Sequence, residues 1–428
     1  MIKRFAFLIA LLSTLIGFSQ TNNTSPYSYF GIGDTNQQMT VASSSMGGIN
    51  VAQSYFGELN FTNPAALTAL QLTTFSIAGK LKVLQINDGL LTQNSSSTGL
   101  TSLALGVPFG KKGGLMVGLQ PNSSVGYSIS NEIYDGDEII ENYVFSGNGG
   151  TNRFFGSFAY EVIKGLSVGI EGEYIFGSIN NNIVNIRKDV SFNSKYQTIS
   201  SLKGASVKLG AQYQYKLEND LEVKLGSTIK LKNELKATSE EYLYSFLYGA
   251  SGTEIPKDTI TSNINLKGEI NRPTAVILGA GLGKDNQWNV GVEYETQAAI
   301  SIAESVFKNN KIQYTSKSRY SLGGFYIPKN NSLTNYWQRV FYRAGFKYEK
   351  TGLAVNGVVG SGGFTPINDF GISFGLGLPI GNQLSQVNLG LEYGNRGNTT
   401  NGLIKEKYFN LRLSFNLTDK WFRKNKIN

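Results

Sequence analysis

Along the chain's last hundred residues, apolar and polar side chains take turns. In "KYFNLRLSFNL", Phe409, Leu411, Leu413, Phe415 and Leu417 fall on one parity, and Tyr408, Asn410, Arg412, Ser414 and Asn416 on the other. A period of two is the mark of a strand with one apolar face. The same alternation holds for Val387–Tyr393, Phe370–Leu378, Tyr342–Tyr348, Trp288–Tyr294, Leu221–Leu231 and Val207–Leu217. Over these seven strands the apolar parity carries 34 residues and no charge. The other parity carries Lys208, Lys216, Glu222, Lys224, Lys230, Glu293, Arg343, Lys347, Glu392 and Arg412. At mid-bilayer a Lys or Arg on the lipid face costs ~2–4 kcal/mol, so a bilayer would enforce such exclusion.

Fourteen strands are expected, at 72–84, 100–109, 114–130, 152–163, 166–183, 202–217, 221–237, 264–282, 287–302, 314–327, 337–349, 367–380, 386–396 and 406–417. A soluble sandwich would alternate too. However, roughly eight strands already close around an interior that side chains just fill, so fourteen with apolar faces inward would enclose a void. Apolar-out closure is the cheaper solution. Connections agree: short ones at 110–114, 164–165, 218–220, 283–287, 328–336 and 381–385 alternate with mostly longer ones, the habit of outer-membrane barrels. The expected fold is therefore all-β, a 14-stranded antiparallel transmembrane β-barrel, with both termini in the periplasm.

Composition narrows the function. Residues 1–19 open with Lys3 and Arg4, run apolar, and end in small residues, which predicts a signal peptide cleaved near Ser19/Gln20. Without it, 37 basic residues face 30 acidic ones, a modest +7 with no Arg/Lys stripe, so no nucleic-acid partner is expected. Charged residues make up 16%, below the ~25% of soluble domains, and no later run reaches the ~18 apolar residues of a membrane helix. The absence of Cys and His removes thiol and imidazole catalysis, disulfides, and thiolate or imidazole metal sites. Asp and Glu are scattered singly, as expected of solvated or lumen-facing charges. No enzyme, metal or cofactor is expected.

Residues 20–70 lack the alternation. They hold Gly31, Gly33, Gly47, Gly48, Gly57 and Pro64, and "NPAALTAL" predicts about two helical turns, with Asn63 capping and Pro64 in the first helical position. A fourteen-strand barrel left empty would be a pore, and a segment of this size in the lumen would close it. The domain reading is signal peptide 1–19, N-terminal hatch 20–70, barrel 71–417 and basic periplasmic tail 418–428.

"MGGINVAQSYFGELNFTNPAALTAL" resembles the hatch of the outer-membrane long-chain fatty-acid and hydrocarbon transporter (FadL-like) family, through Met46, Gly47, Gly48, Asn63, Pro64, Ala65 and Leu67. That resemblance implies a fourteen-strand barrel. "SPYSYFGIGD", "YRAGFKYEKTGL", "DFGISFGLGLP" and "KWFRKNKI" resemble a branch with PorV-type barrels, found in bacteria with type IX secretion. The chain departs from the common terminal aromatic, continuing to Asn428.

In the third strand, Pro121 removes a ladder donor and Asn122, Ser123 and Ser124 follow, predicting a break or bulge. The resemblance implies a kink there, a lateral gate opening into lipid. A bulge that only ends the embedded part of the strand is the plainer alternative. Tyr27, Phe30, Phe56 and Phe61 are candidates to line an apolar pocket, although packing of the hatch explains them equally well. Two functions follow for a Gram-negative outer-membrane protein in contact with lipid. One is passive transport of a hydrophobic small-molecule ligand. The other is a non-transporting accessory or docking barrel for a secretion-system subunit of the type IX machine.

Overall fold

The computed structural model describes residues 23–303, 307, 311–357, 363–380 and 385–420. It is a closed antiparallel barrel of fourteen strands. The first six are β1 Thr73–Asn87, β2 Thr92–Phe109, β3 Gly113–Asp135, β4 Glu138–Ile163, β5 Leu166–Arg187 and β6 Asn193–Lys216. Two broken strands follow, β7 (Leu221–Lys230, Asn233–Tyr248) and β8 (Glu254–Arg272, Ala275–Lys284). Next come β9 (Trp288–Gln297, Ser301–Ala303), β10 (Ile312–Tyr314, Lys317–Tyr326) and β11 Phe341–Val355. β12 Thr365–Ile380, β13 Ser385–Arg396 and β14 Lys405–Asp419 complete the wall, and β14 pairs with β1 from Asp419↔Thr73 to Lys405↔Asn87 to shut it.

The parity read from the sequence sets which way each strand faces. Leu413, Val292 and Phe374 point outward, at 42%, 54% and 58% exposure, whereas Lys208, Glu293, Arg343 and Glu392 are buried inside. Lys216 departs from this: it sits at the short-turn end with most of its side chain exposed, beside Asp220 at 3.4 Å. Outward aromatics gather at two levels. Tyr160, Tyr213, Tyr326 and Trp337 lie toward the short turns, and Tyr174, Tyr294, Tyr320 and Tyr393 higher up. Trp288 and Tyr294 on β9 stand at the two levels, about 20 Å apart along the strand, matching the aromatic girdles that flank a hydrocarbon band. Among the described residues no helix is long and apolar enough to cross a membrane.

The structure corrects the long-loop expectation. Residues 131–151, 184–201 and 238–263 are not irregular loops; most of them continue the strands as paired hairpins with tight tips, such as the turn at Gly136 between β3 and β4. Their side chains are polar and β-prone, so they pair in water without the apolar parity that marks the embedded part. The expected unbroken strands at 221–237, 264–282, 287–302 and 314–327 are each interrupted. In β8 the break falls at Pro273, which has no N–H to give the ladder.

Residues 23–72 are mostly buried and run inside the ring. Their elements are short: a 3-10 turn Pro26–Tyr29, the two-residue strand Asp34–Thr35, one α-turn Val41–Ser44 capped by Thr40, and a 3-10 stretch Pro64–Ala69. In the last, Asn63 Oδ1 accepts from the amide of Ala65 at 3.0 Å, the cap its sequence predicts. The expected signal peptide, 1–19, and nearly all of the basic tail, 421–428, lie outside the described residues.

Candidate functional site

Three turns of the N-terminal segment dock on the wall through polar contacts. Gly47 and Gly48, at φ +69° and +90°, bend the chain where a side chain would be strained, and the Gly47 amide donates to Ser373 Oγ at 2.8 Å. The amides of Asn50 and Val51 both donate to Glu293 Oε2 at 2.7 Å, while Arg319 Nη2 holds Oε1 of the same carboxylate at 2.9 Å. Farther on, Asn63 Nδ2 donates to Val51 O (2.7 Å) and Ala211 O (3.0 Å), and Lys208 Nζ donates to Phe61 O at 2.8 Å. Backbone amides and carbonyls left free by the segment's irregular course thus find charged or amide partners on the wall, as buried backbone groups require.

A fourth anchor sits nearer the long hairpins. Arg396 Nη1 meets Asp34 Oδ1 at 2.9 Å, its Nη2 meets Glu406 Oε2 at 2.8 Å, and Ser25 Oγ donates to Glu406 Oε1 at 2.5 Å. Burial would raise the Asp34 carboxyl, but Arg396, with Lys82 behind it, more than offsets this and holds it below its ordinary range. The Tyr27 hydroxyl donates to Ile404 O at 2.6 Å, and its pKa is pushed up to about 12 by burial and by Glu406. At the short-turn end, Glu58 stands 3.9 Å from Arg343; burial raises its carboxyl and Arg343 only partly offsets that.

One seam in the wall lies between β2 and β3. The β2–β3 ladder stops at Leu103↔Leu119, and the β3–β4 register slips between Pro121 and Ser123. Asn122, Ser123 and Ser124 are buried: Asn122 Nδ2 donates to Thr151 Oγ1 at 2.8 Å, and Ser123 Oγ is bonded to the same hydroxyl. The freed edge of β3 is taken by the N-terminal segment, with Asp34↔Ser124 and Thr35↔Ser123 in register and Asn36 N donating to Asn122 O at 2.9 Å. Beside the seam lies a cavity of ≈ 400 Å³. Its lining takes members of residues 23–44 and Thr62 from the segment, but none of 45–61. The wall supplies many charges, among them Lys80, Lys230, Arg272, Lys317, Lys347 and Glu349.

The sequence-predicted residues therefore separate into groups. Met46, Gly47 and Gly48 lie against β10 and β11. Asn63, Pro64, Ala65 and Leu67 lie against β3, β5 and β6. Pro121, Asn122 and Ser124 line the cavity, as do Tyr27 and Phe30. Phe56 and Phe61 do not. Phe61 is fully buried against Phe155, in a core with Leu59, Leu67 and Met116, and Phe56 packs on Tyr55. Their apolar rings pack within the segment and against the wall. Asp34, Arg319, Arg396 and Glu406 were not singled out by the sequence, and Glu293 only as one of ten charges on the inner parity. They sit on different strands and turns, and only the register across strands assembles them. Among the described residues no group of acidic side chains is placed to hold a metal.

The sequence pattern of the family described as BamG matches residues 1–428. Among solved structures, the CymD monoaromatic hydrocarbon channel aligns with a TM-score of 0.58 at 16% identity, covering 91% of this chain and 99% of that one. The Ralstonia pickettii toluene transporter TbuX gives 0.56 at 14% identity, over 90% and 99%. A Pseudomonas aeruginosa FadL homologue gives 0.57 at 12% identity, over 91% and 100%. At these identities the likeness is one of fold. No curated protein matches the chain.

Proposed function

Since the chain belongs to the BamG family, and since it folds as a closed fourteen-strand barrel, we propose that it is a non-conducting barrel of a Gram-negative outer membrane, serving as an accessory subunit that docks a partner in a larger assembly. The observation that carries this reading is the lumen. Residues 23–70 act as a hatch held by Arg396, Glu293, Lys208 and Asn63, and the cavity above it draws none of its lining from 45–61. Releasing the segment would break the Arg396–Asp34 ion pair together with the hydrogen bonds made by Glu293, Lys208 and Asn63, each a cost once its buried partner is left unpaired. An apolar solute moving passively past charged walls offers little to offset that. The tall hairpins of β3 to β8 provide the docking surface. A type IX secretion machine, to which the sequence resemblance points, is the partner class in view.

The test is reconstitution in liposomes. Entry of toluene should match protein-free vesicles, while native gels of the gently solubilised outer membrane should place the chain in a species much larger than the monomer. Faster entry together with a purely monomeric form would reverse the assignment.

A second reading is favoured by one observation, the unpaired stretch between β2 and β3 at Pro121. In it the seam is a lateral gate through which a hydrophobic small molecule leaves for the surrounding lipid. Uptake that depends on freeing Asp34–Thr35 from Ser123–Ser124 would support it.

A further inference from the structure

Where β7 and β8 are both interrupted, the lumen carries more cations than carboxylates. Arg153 Nη1 lies 2.8 Å from both Glu171 and Glu173, Lys208 lies 2.8 Å from Glu171, and Lys230 pairs with Glu173. Arg272 is within electrostatic reach of Glu173 and Arg153. Four cations thus share two carboxylates, an excess of two positive charges. Two other luminal clusters are better matched: Arg396 has Asp34 and Glu406, and Lys317 with Arg319 has Glu293, Glu295 and Glu349. A third, where Lys347 and Arg412 hold Asp369 and Glu392 with Lys80 and Lys82 nearby, is cation-rich too.

The same corner holds two buried donors with no acceptor, Arg272 Nη1 and Asn233 Nδ2. The two residues are register partners across β7 and β8, so they share a face of the sheet. Lys230 ends the lower piece of β7 and Arg272 the upper piece of β8, so both stand at the level of the breaks, and both line the ≈ 400 Å³ cavity. An unpaired buried donor is costly, and a neighbouring pair of them beside uncompensated charge marks the place of an absent acceptor.

We infer that this corner of the cavity binds a phosphate-type oxyanion, free or as the headgroup of a lipid, with Arg272 donating to its oxygens and Lys230 supplying charge. A phosphate monoester carries about −1.5 to −2 at neutral pH, which matches the excess; a single carboxylate would cancel only half of it. The Arg fork suits two oxygens at once, and Lys acts as a point charge. This site goes beyond the docking role and does not depend on whether the barrel conducts.

The experiment uses the full-length barrel in an uncharged detergent, with inorganic phosphate titrated against sodium chloride at equal ionic strength. Unfolding temperature and calorimetry are the readouts. Phosphate should raise the midpoint and saturate, chloride should not, and Arg272→Gln should weaken binding by about tenfold. Without phosphate, Arg272→Gln should unfold no lower than the parent, because an uncompensated charge has gone; this separates lost binding from lost folding. A parallel arm replaces phosphate with micelles doped with phosphatidic acid or phosphatidylcholine. Stabilisation by phosphatidic acid alone, abolished by Arg272→Gln, assigns the anion to a lipid headgroup even where free phosphate has no effect. If neither probe stabilises the parent beyond chloride, or if Arg272→Gln responds as the parent does, the site does not exist.

Discussion

Gly345, on the inner face of β11, lies directly against Gly47 of the N-terminal segment: a Cβ added to Gly345 would overlap the Gly47 amide, and one added to Gly47 would overlap Phe346. The two backbones meet with no side chain between them. Gly345→Val should therefore lift the segment off the wall and lower stability by about 1–3 kcal/mol, the usual cost of forced overpacking. Gly47→Val adds strain at φ +69° and should cost more. Urea unfolding in detergent, followed by heat-modified gel mobility, measures both. Equal stability of all three proteins would mean that the contact is absent.

Arg396 joins the segment to the last two strands through Asp34 and Glu406. Arg396→Met should leave two carboxylates uncompensated in the lumen and cost ~3–5 kcal/mol. Adding Asp34→Asn should restore part of that loss, so the double variant should be less destabilised than the two single effects summed. A double-mutant cycle on the unfolding free energy reads the coupling, and strict additivity would dissolve the proposed cluster.

The chain has no cysteine, which permits a clean crosslink. Thr35 and Ser123 are register partners, and directly opposite antiparallel positions bring Cα atoms to ~4.5–5.5 Å, within disulfide range. A Thr35→Cys, Ser123→Cys protein should oxidise readily and migrate as a crosslinked species. In the non-conducting reading the locked protein assembles with its partner as before. If a hydrocarbon crosses the parent and is stopped by the crosslink, the seam is a gate.

Two carboxyls of the segment should give pH dependences of opposite sign. Asp34 is held below its ordinary value of 3.8, so its stabilisation is complete above that pH and is lost as acid titrates it through the lower folded value. Glu58 is raised above 4.5, so stability falls as pH climbs from 4.5 toward its folded value. Asp34→Asn should flatten the acid limb of a stability–pH curve, and Glu58→Gln the limb above 4.5. Identical curves for parent and variants would show that neither group is buried as described.

The embedded wall was legible because a bilayer imposes one rule on every strand: Leu413 out, Arg412 in. The cap at Asn63 was legible for a similar reason, since its signal is local. What stayed hidden needs register between distant strands. Glu293 and Arg319 are neighbours only because Gly291 pairs with Gly323, and Arg396 reaches Asp34 across more than three hundred residues. The paired upper hairpins escaped notice because water sets no parity on them. Phe56 and Phe61 were ambiguous because the same apolar ring serves a pocket or a core.

The junction of β1 with β14 also constrains how the molecule is made. These strands come from opposite ends of the polypeptide, so the ring cannot seal until its final residues have emerged, whereas 23–72 are made first. The stretch around Asn63 is thus available to rest on the half-built curve of β5 and β6 before the ends meet. A chain that closed without its own beginning inside would be an open tube.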